Sequence, residues 1–189
     1  VLFRSSMTQL IFFMWHVLEN YETDKEIKTL LNSCEMYIVP CVNPDGYVYN
    51  QTTNSTGGGM WRKNRRNNGG GTFGVDDNRN YAYGWGGSGS SASGSSDTYR
   101  GTAAFSEAET QAIKNLCNSR NFITAFNYHA YGNYCIYPYS NVAVNNCPEI
   151  SFFNSLSTFL TTDNAFTYGN AQATVNYIAS GGAEDWSYV

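Results

Sequence analysis

The sequence is poor in positive charge and has no hydrophobic run long enough to span a membrane. It has 11 Lys and Arg residues against 15 Asp and Glu residues, which gives a formal net charge of −4 and an isoelectric point near 5.1. Proteins that bind the phosphate backbone usually carry a basic domain, so this composition argues against a nucleic-acid partner. A membrane helix needs about 20 consecutive apolar residues, whereas His16 interrupts the apolar run at 10–18. We therefore expect neither nucleic acid nor membrane as a partner.

Cysteines are few and odd in number, so they cannot all pair within the chain. The five are Cys34, Cys41, Cys117, Cys135 and Cys147. A bridge between Cys135 and Cys147 would close a short loop, although the sequence does not fix the pairing. Two N-glycosylation sequons, at Asn50 and Asn54, favour a secreted protein. We expect a secreted, extracellular or endolysosomal location.

The composition is that of one globular domain. The chain has 189 residues, of which 42% are hydrophobic and 14% charged. Capping boxes at Ser6–Gln9 and Ser106–Glu109 predict helices, and β-branched and aromatic runs predict strands. The predicted elements are a core-packed helix at 7–22, a short helix at 24–31, a strand at 35–42 ending in a turn at 43–46, a surface loop at 86–96, a helix to 118, a strand at 122–128 and a helix at 148–162. This order indicates an α/β domain.

Residues 61–80, WRKNRRNNGGGTFGVDDNRN, hold five of the eleven basic residues. The guanidinium groups of Arg62 and Arg79 present planar forks that match a carboxylate or phosphate, and Asn78 can add an amide donor. A solvated charged loop and a nucleic-acid patch are the alternatives. Because the chain is acidic overall, a small anion is the better match.

His129 follows the predicted strand at 122–128, and ligand sites in open α/β sheets lie beyond the carboxyl ends of strands. This position favours a metal ligand, whereas a lone histidine is more often a structural residue.

Six motifs in order carry a family resemblance. They are VNPDGY at 42–47, WRKNR at 61–65, GVDDNRN at 74–80, His129, YPY at 137–139 and SGGAEDWSY at 180–188. From about Ser6 onward the chain resembles the zinc metallocarboxypeptidases of the pancreatic A/B type. The resemblance implies a mixed, mostly parallel twisted sheet flanked by helices, here truncated. It also implies zinc-dependent hydrolysis of the C-terminal peptide bond, with peptide or protein C-termini as substrates of a monomeric enzyme.

The resemblance also assigns roles to individual residues. It makes His129 one of three zinc ligands, Asp76 a carboxylate that orients a metal-bound histidine, and Arg62 the group that stabilises the oxyanion. It implies a cis peptide bond between Ala130 and Tyr131. The substrate-binding residues that it implies are Asn78, Arg79, Tyr131, Tyr177 and Glu184. Because the matching position is acidic in B-type enzymes, Glu184 predicts a preference for C-terminal Lys or Arg.

The chain also departs from the family pattern. The His-x-x-Glu motif that holds two zinc ligands and the general-base Glu are not found, and no cysteines bracket residues 72–95. We therefore expect weak zinc binding and no activity from this chain alone. Residues 1–5, VLFRS, can be encoded by a DNA sequence that matches the end of a sequencing adapter. We therefore interpret residues 1–5 as a non-native leader and residues 6–189 as a partial peptidase catalytic domain.

Two functions from other classes remain open. One is a non-catalytic family member that binds peptide C-termini, and the other is a glycan- or protein-binding module, which the fifteen tyrosines suggest.

Overall fold

The computed structural model describes residues 2–189, with side chains from residue 6 onward. Its elements, in chain order, are α1 (Leu2–Glu19), α2 (Lys25–Ser33), α3 (Pro44–Thr53), β1 (Asn67–Gly69), β2 (Thr72–Phe73), a 3-10 turn (Asp77–Arg79), α4 (Ala108–Asn118), β3 (Tyr134–Ile136), α5 (Ile150–Leu160), β4 (Thr167–Gly169), α6 (Ala171–Val175) and α7 (Ala183–Tyr188). Within residues 2–189, no helix is long and apolar enough to cross a membrane.

The strands form two small sheets. β1 and β2 pair antiparallel as a hairpin, with Asn67 opposite Phe73. β3 and β4 pair parallel, with Tyr134 opposite Thr167 and Ile136 opposite Gly169. The connection between these parallel strands contains α5, as a parallel pair requires a crossover. The second sheet is therefore a βαβ unit.

The buried interior lies where residues 75–81, 99–110 and 179–185 meet, and much of it is polar. Fully buried Asn80 donates from Nδ2 to the carbonyls of Arg100 (2.8 Å) and Ala103 (3.0 Å), and its Oδ1 accepts from Thr110 Oγ1 (2.7 Å). The rings of Tyr81, Phe105 and Trp186 pack beside this network, with centroids 5.2–5.6 Å apart. The hydrogen bonds of Asn80 and one aromatic cluster thus hold the segments that carry the site.

The first helix differs from its prediction in extent and in packing. α1 runs from Leu2 to Glu19, so the chain is already helical at Ser6 and the predicted capping box is wrong. Val17 is buried, but Phe12 and Trp15 are 69% and 62% exposed, so the helix is not core-packed among the described residues. The interpretation of residues 1–5 as a leader concerns residues whose side chains lie outside the described part of the chain. Val1 lies outside it entirely.

The predicted strand at 35–42 is irregular, and the predicted turn at 43–46 is instead the start of α3. Asn43 Oδ1 accepts from the Gly46 amide at 2.8 Å, and Pro44 occupies the first turn, where it needs no donor. The predicted strand at 122–128 is also irregular, with Ile123 98% exposed. Neither run makes backbone hydrogen bonds to a neighbouring strand in the described part, and a strand is stable only when it is paired.

The later helices are confirmed, although one of their caps is not. α4 ends at Asn118 as predicted, but its N-cap is Glu107 without a side-chain cap bond, because Ser106 Oγ donates to Glu107 Oε1 (2.6 Å). α5 covers most of the helix predicted at 148–162.

The structure does not form the candidate Cys135–Cys147 bridge that the sequence left open. Among the described residues all five cysteines are free thiols. Cys135 Sγ instead donates to Ser157 Oγ, 3.7 Å away.

Candidate functional site

The β1–β2 hairpin brings the two ends of the basic segment together. The Asn64 amide donates to the Val75 carbonyl (2.9 Å), and the Gly74 amide donates to the Arg66 carbonyl (2.7 Å). As a result Arg62 lies beside Asp76, with Nη2 2.7 Å from Oδ2. Asp76 is buried, whereas Arg62 remains exposed at the surface of the site.

The 3-10 turn at Asp77–Arg79 positions the predicted anion-binding residues. Asp76 caps this turn by accepting from the Asn78 amide at 3.2 Å. Asn78 Oδ1 accepts from the Ala183 amide at 2.9 Å, which joins the turn to the start of α7. The turn and α7 therefore form one unit, although 105 residues separate Asn78 from Ala183 in sequence.

Arg79 is held by main-chain oxygens. Its side chain is only 2% exposed. Nε donates to the Gly89 carbonyl at 2.8 Å, and Nη1 donates to the Asn78 carbonyl at 2.6 Å. Among the described residues no carboxylate forms an ion pair with this guanidinium. The orientation of Arg79 is thus fixed while its charge is left uncompensated by a close anion.

Gly89 is a site residue that sequence reasoning missed. It belongs to the loop predicted at 86–96, and its φ of +77° favours glycine. A Cβ at this position would collide with the Ile178 carbonyl, which precedes Ala179 in the segment leading to α7. The loop therefore packs against the site and delivers the carbonyl that orients Arg79. A glycine-rich composition alone could not reveal this contact.

Several charged groups act electrostatically on His129. Desolvation lowers the pKa of its imidazole, although the residue as a whole is exposed. The Glu184 carboxylate acts in the opposite direction, Arg62 and Arg79 lower the pKa further, and Asp76 raises it. Four of the predicted site residues therefore lie close enough to His129 to affect its charge state.

The two predicted site tyrosines are both exposed. Tyr131 is 73% exposed and Tyr177 is 48% exposed, so both rings are available to a ligand. The peptide bond between Ala130 and Tyr131 is cis, as expected from the resemblance. Tyr177 directly follows Asn176, whose left-handed conformation (φ 59°) ends α6.

Glu184 lies in the first turn of α7 and is half-buried. In the described part of the chain it forms no ion pair. Its neighbour Asp185 is fully buried and accepts from the Ser140 amide (2.8 Å) and the Asn141 amide (3.0 Å). Burial raises the pKa of Asp185 to about 6, although these amides oppose the shift.

Asp77 is an unusual carboxyl that the sequence did not single out. It is 8% exposed, and among the described residues neither of its oxygens has a hydrogen-bond partner. Burial, followed by the charges of Glu109, Asp76, Glu107 and Asp45, raises its pKa to about 9. Asp77 therefore carries a proton at neutral pH. The adjacent residues Asp76 and Asp77 could have indicated this raised pKa in the sequence, because two neighbouring carboxyl groups that are both buried cannot easily both ionise.

The described residues do not make a complete zinc site. Within residues 2–189 there is no group of three or more His, Cys, Asp or Glu side chains that could hold a metal ion. A structural or catalytic zinc site takes three or four protein ligands, and of the predicted set this chain offers His129.

Comparisons with known proteins agree with the motifs. The family model described as zinc carboxypeptidase matches residues 5–189. Among curated proteins, rat carboxypeptidase A2 is 36% identical to the chain over 91% of the chain's length. Bovine carboxypeptidase B is 36% identical over 94% of the chain's length. Bovine carboxypeptidase O is 32% identical over 93% of the chain. The chain spans only 42–48% of the length of these relatives.

Solved structures of the same kind share the fold. Thrombin-activatable fibrinolysis inhibitor matches with a TM-score of 0.82 and 30% identity, over 95% of this chain and 46% of that chain. The bovine inhibitor in complex with tick carboxypeptidase inhibitor matches with a TM-score of 0.79 and 30% identity, over 95% of this chain and 60% of that one. The predicted zinc carboxypeptidase-like α/β fold class is therefore confirmed.

Proposed function

Because the chain belongs to the zinc carboxypeptidase family, we propose that it is part of a metallocarboxypeptidase that hydrolyses the C-terminal peptide bond of peptides and proteins. The observation that carries this proposal is geometric: Arg62 pairs with Asp76 at 2.7 Å, and the hydrogen bonds of Arg79 and Asn78 fix both side chains beside the start of α7. His129 would supply one zinc ligand of the whole protein. Among residues 2–189 there is no group of three or more side chains that could hold a metal ion. We therefore propose that this chain alone is inactive and binds zinc weakly.

We propose that Arg79, Asn78 and Tyr177 bind the terminal carboxylate of the substrate. A guanidinium donates two parallel hydrogen bonds to a carboxylate but cannot do so to an internal amide, and this difference would make the enzyme an exopeptidase. The hydrogen bonds from Arg79 to the Gly89 and Asn78 carbonyls support the proposal, because they fix the guanidinium before a ligand arrives. Tyr131 and Tyr177 are exposed and can close over the bound residue.

We propose that Arg62 stabilises the negative oxygen that develops on the scissile carbonyl. It is exposed on the site side, and its ion pair with buried Asp76 (2.7 Å) restrains its position. Loss of one such donor typically raises the barrier by about 3 kcal/mol. Asp76 in this structure orients Arg62, and in the whole protein it would also orient a metal-bound histidine, as the resemblance implies.

We propose that Glu184 selects substrates with a C-terminal Lys or Arg. Its half-buried carboxylate has no basic partner among the described residues. A substrate cation could therefore form a partly desolvated ion pair with it. The relatives carry both A-type and B-type names at the same 36% identity, so similarity alone does not decide this preference.

The test uses the longer protein that contains this chain and the 189-residue chain itself. We expect the longer protein to release C-terminal Lys faster than C-terminal Phe from matched reporter peptides, and a chelator to abolish both reactions. Glu184→Ile should invert the preference, whereas exposed Glu149→Ile should not. The 189-residue chain should release neither residue, and release that a chelator stops would contradict its proposed inactivity.

The alternative, a non-catalytic protein that binds peptide C-termini, is favoured by one observation. The described residues retain Arg79 and Asn78 but contain no three-donor metal cluster. Failure of the longer protein to hydrolyse any reporter, together with retained binding of C-terminal acids over C-terminal amides, would replace the catalytic proposal with this one.

A further inference from the structure

The two N-glycosylation sequons lie four residues apart at the end of α3, yet their asparagines have different surroundings. One begins at Asn50 and the other at Asn54, which is the C-cap of the helix. A sequon makes an asparagine eligible for an N-glycan, but only an accessible side-chain amide can carry one in the folded protein.

Asn50 is committed to the fold. It is 7% exposed. Its Nδ2 donates to the Gly46 carbonyl at 3.1 Å and to the Trp61 carbonyl at 2.6 Å, and its Oδ1 accepts from the Trp61 amide at 3.0 Å. Both amide hydrogens are therefore used. Gly59 packs directly on this side chain, because a Cβ there would lie only 2.8 Å from Asn50 Cγ.

Asn54 is open to solvent. Asn54, Ser55 and Thr56 are all exposed, so the whole sequon is accessible. In the described part of the chain, Asn54 Nδ2 donates only to Thr53 Oγ1 at 3.0 Å, a bond between exposed neighbours. The chain turns away directly afterwards, with the Gly57 amide donating to the Asn54 carbonyl (2.8 Å), and a Cβ at Gly58 would meet nothing within 4 Å.

We propose that Asn54 is an N-glycosylation site of this protein and that Asn50 is not. The donor is a lipid-pyrophosphate-linked oligosaccharide of the secretory pathway. The Asn54 Nδ2 attacks the anomeric carbon of the first sugar, so that a C–N bond forms as the C–O bond to the pyrophosphate breaks. The lipid pyrophosphate leaves with the bonding electrons, and the transferase base takes the amide proton.

Asn54 lies at the opposite end of α3 from the Asn43 Nδ2 hydrogen bond to the Arg62 carbonyl (3.3 Å). Asn50, one turn before Asn54, also contacts the basic segment through Trp61, so the helix runs along that segment. Because Asn54, Ser55 and Thr56 are all exposed, a glycan on Asn54 would extend into solvent.

The test is secretion of the 189-residue chain from eukaryotic cells behind a signal peptide, followed by intact mass measurement before and after peptide N-glycosidase. Deglycosylation in heavy-oxygen water labels the modified asparagine, and peptide fragmentation distinguishes Asn50 from Asn54. The matched variants are Thr56→Ala and Thr52→Ala, which each destroy one sequon without changing its asparagine. A secreted reporter with a known sequon verifies glycosylation in the same cells.

We expect one glycan, complete loss of the mass shift in Thr56→Ala, and an unchanged shift in Thr52→Ala. A label on Asn50 in the secreted chain would overturn the proposal. An unmodified Asn54 in cells that glycosylate the reporter would overturn it equally.

Discussion

At the scale of single residues, Arg79 is the group whose geometry most directly tests carboxylate recognition. Arg79→Lys keeps the charge but removes the planar fork. Hydrogen bonds to charged groups contribute about 1.5–3 kcal/mol, so we expect roughly a tenfold to hundredfold loss of affinity for a peptide with a free C-terminus. Titration calorimetry on the longer protein measures it.

The control for this substitution is Arg120→Lys, because Arg120 is exposed and donates to Tyr37 Oη (2.7 Å). The C-terminal amide of the same peptide is the second control. An equal loss of affinity for the acid and the amide would show that Arg79 does not recognise the carboxylate.

Asp77 makes the stability of the protein depend on pH. Its pKa is raised from 3.8 to about 9, so the folded state holds a proton that the unfolded state releases. Stability is therefore fully present below about pH 4 and is lost as pH rises toward 9, by about 1.4 kcal/mol per pH unit for one proton. Asp77→Asn removes this proton, and we expect the variant to exceed the parent in stability most clearly at pH 8.

Urea unfolding at pH 5, 6.5 and 8 measures this difference in the free energy of unfolding. Asp163→Asn is the matched control, since Asp163 is exposed. Parallel pH profiles for the parent and Asp77→Asn would mean that Asp77 is already ionised in the folded protein.

At the scale of elements, the glycine-rich loop at 86–96 supports the site through Gly89. Gly89→Ala forces a Cβ against the Ile178 carbonyl and strains a φ of +77°. We expect it to lower the free energy of unfolding by at least 1 kcal/mol and to displace the carbonyl that holds Arg79. The measurements are thermal unfolding and peptide affinity.

Gly71→Ala provides a closely matched control. Gly71 has the same φ of +77°, but a Cβ there would meet nothing within 4 Å. It should therefore show only the backbone penalty and leave peptide affinity unchanged. If both variants lose affinity equally, the loop does not position Arg79.

The sequence predicted the elements that are stabilised locally and failed for those that need a partner. α4 and α5 have apolar residues at helical spacing, and both are present. The runs at 35–42 and 122–128 have strand composition, but composition does not say which strand will pair with them. Asn, Pro and Gly in the VNPDGY motif all favour turns, so the motif predicts a turn. The same residues also suit the start of a helix, and the structure places them at the N-terminus of α3.

The site was partly predictable for the same reason. Arg62, Asp76, Asn78 and Arg79 lie in one segment with recognisable side-chain chemistry, and the structure brings them together. Gly89 acts through its carbonyl, which every residue has, so no residue type could identify it. Asp77 depends on long-range burial, which a local pattern does not encode.

At the scale of the whole molecule, the chain exposes much apolar surface. Phe12, Trp15 and Leu18 on α1 are 62–69% exposed. An open apolar groove of about 390 Å³ lies along the same helix and reaches Pro40. Contiguous apolar patches of this kind favour association. We predict that the isolated 189-residue chain binds a hydrophobic dye and self-associates as its concentration rises, which also tests the expectation of a monomer.

Phe12→Lys with Trp15→Glu leaves the net charge unchanged, and we expect most of the dye fluorescence and the association to disappear. Sedimentation velocity measures the association. The paired control, Thr23→Lys with Thr56→Glu, makes the same charge changes at exposed polar positions. If the chain stays monomeric and binds no dye, the apolar surface of α1 does not drive association in solution.

The two carbonyl contacts of Arg79 also have an entropic consequence. A free arginine side chain loses up to about 2 kcal/mol of rotamer entropy when it is immobilised. Here Gly89 and Asn78 immobilise it during folding, so that a ligand carboxylate meets a guanidinium that has little motion left to lose. Peptides with a small, weakly interacting C-terminal residue could therefore still bind, because Arg79 loses its rotamer entropy during folding and not on binding.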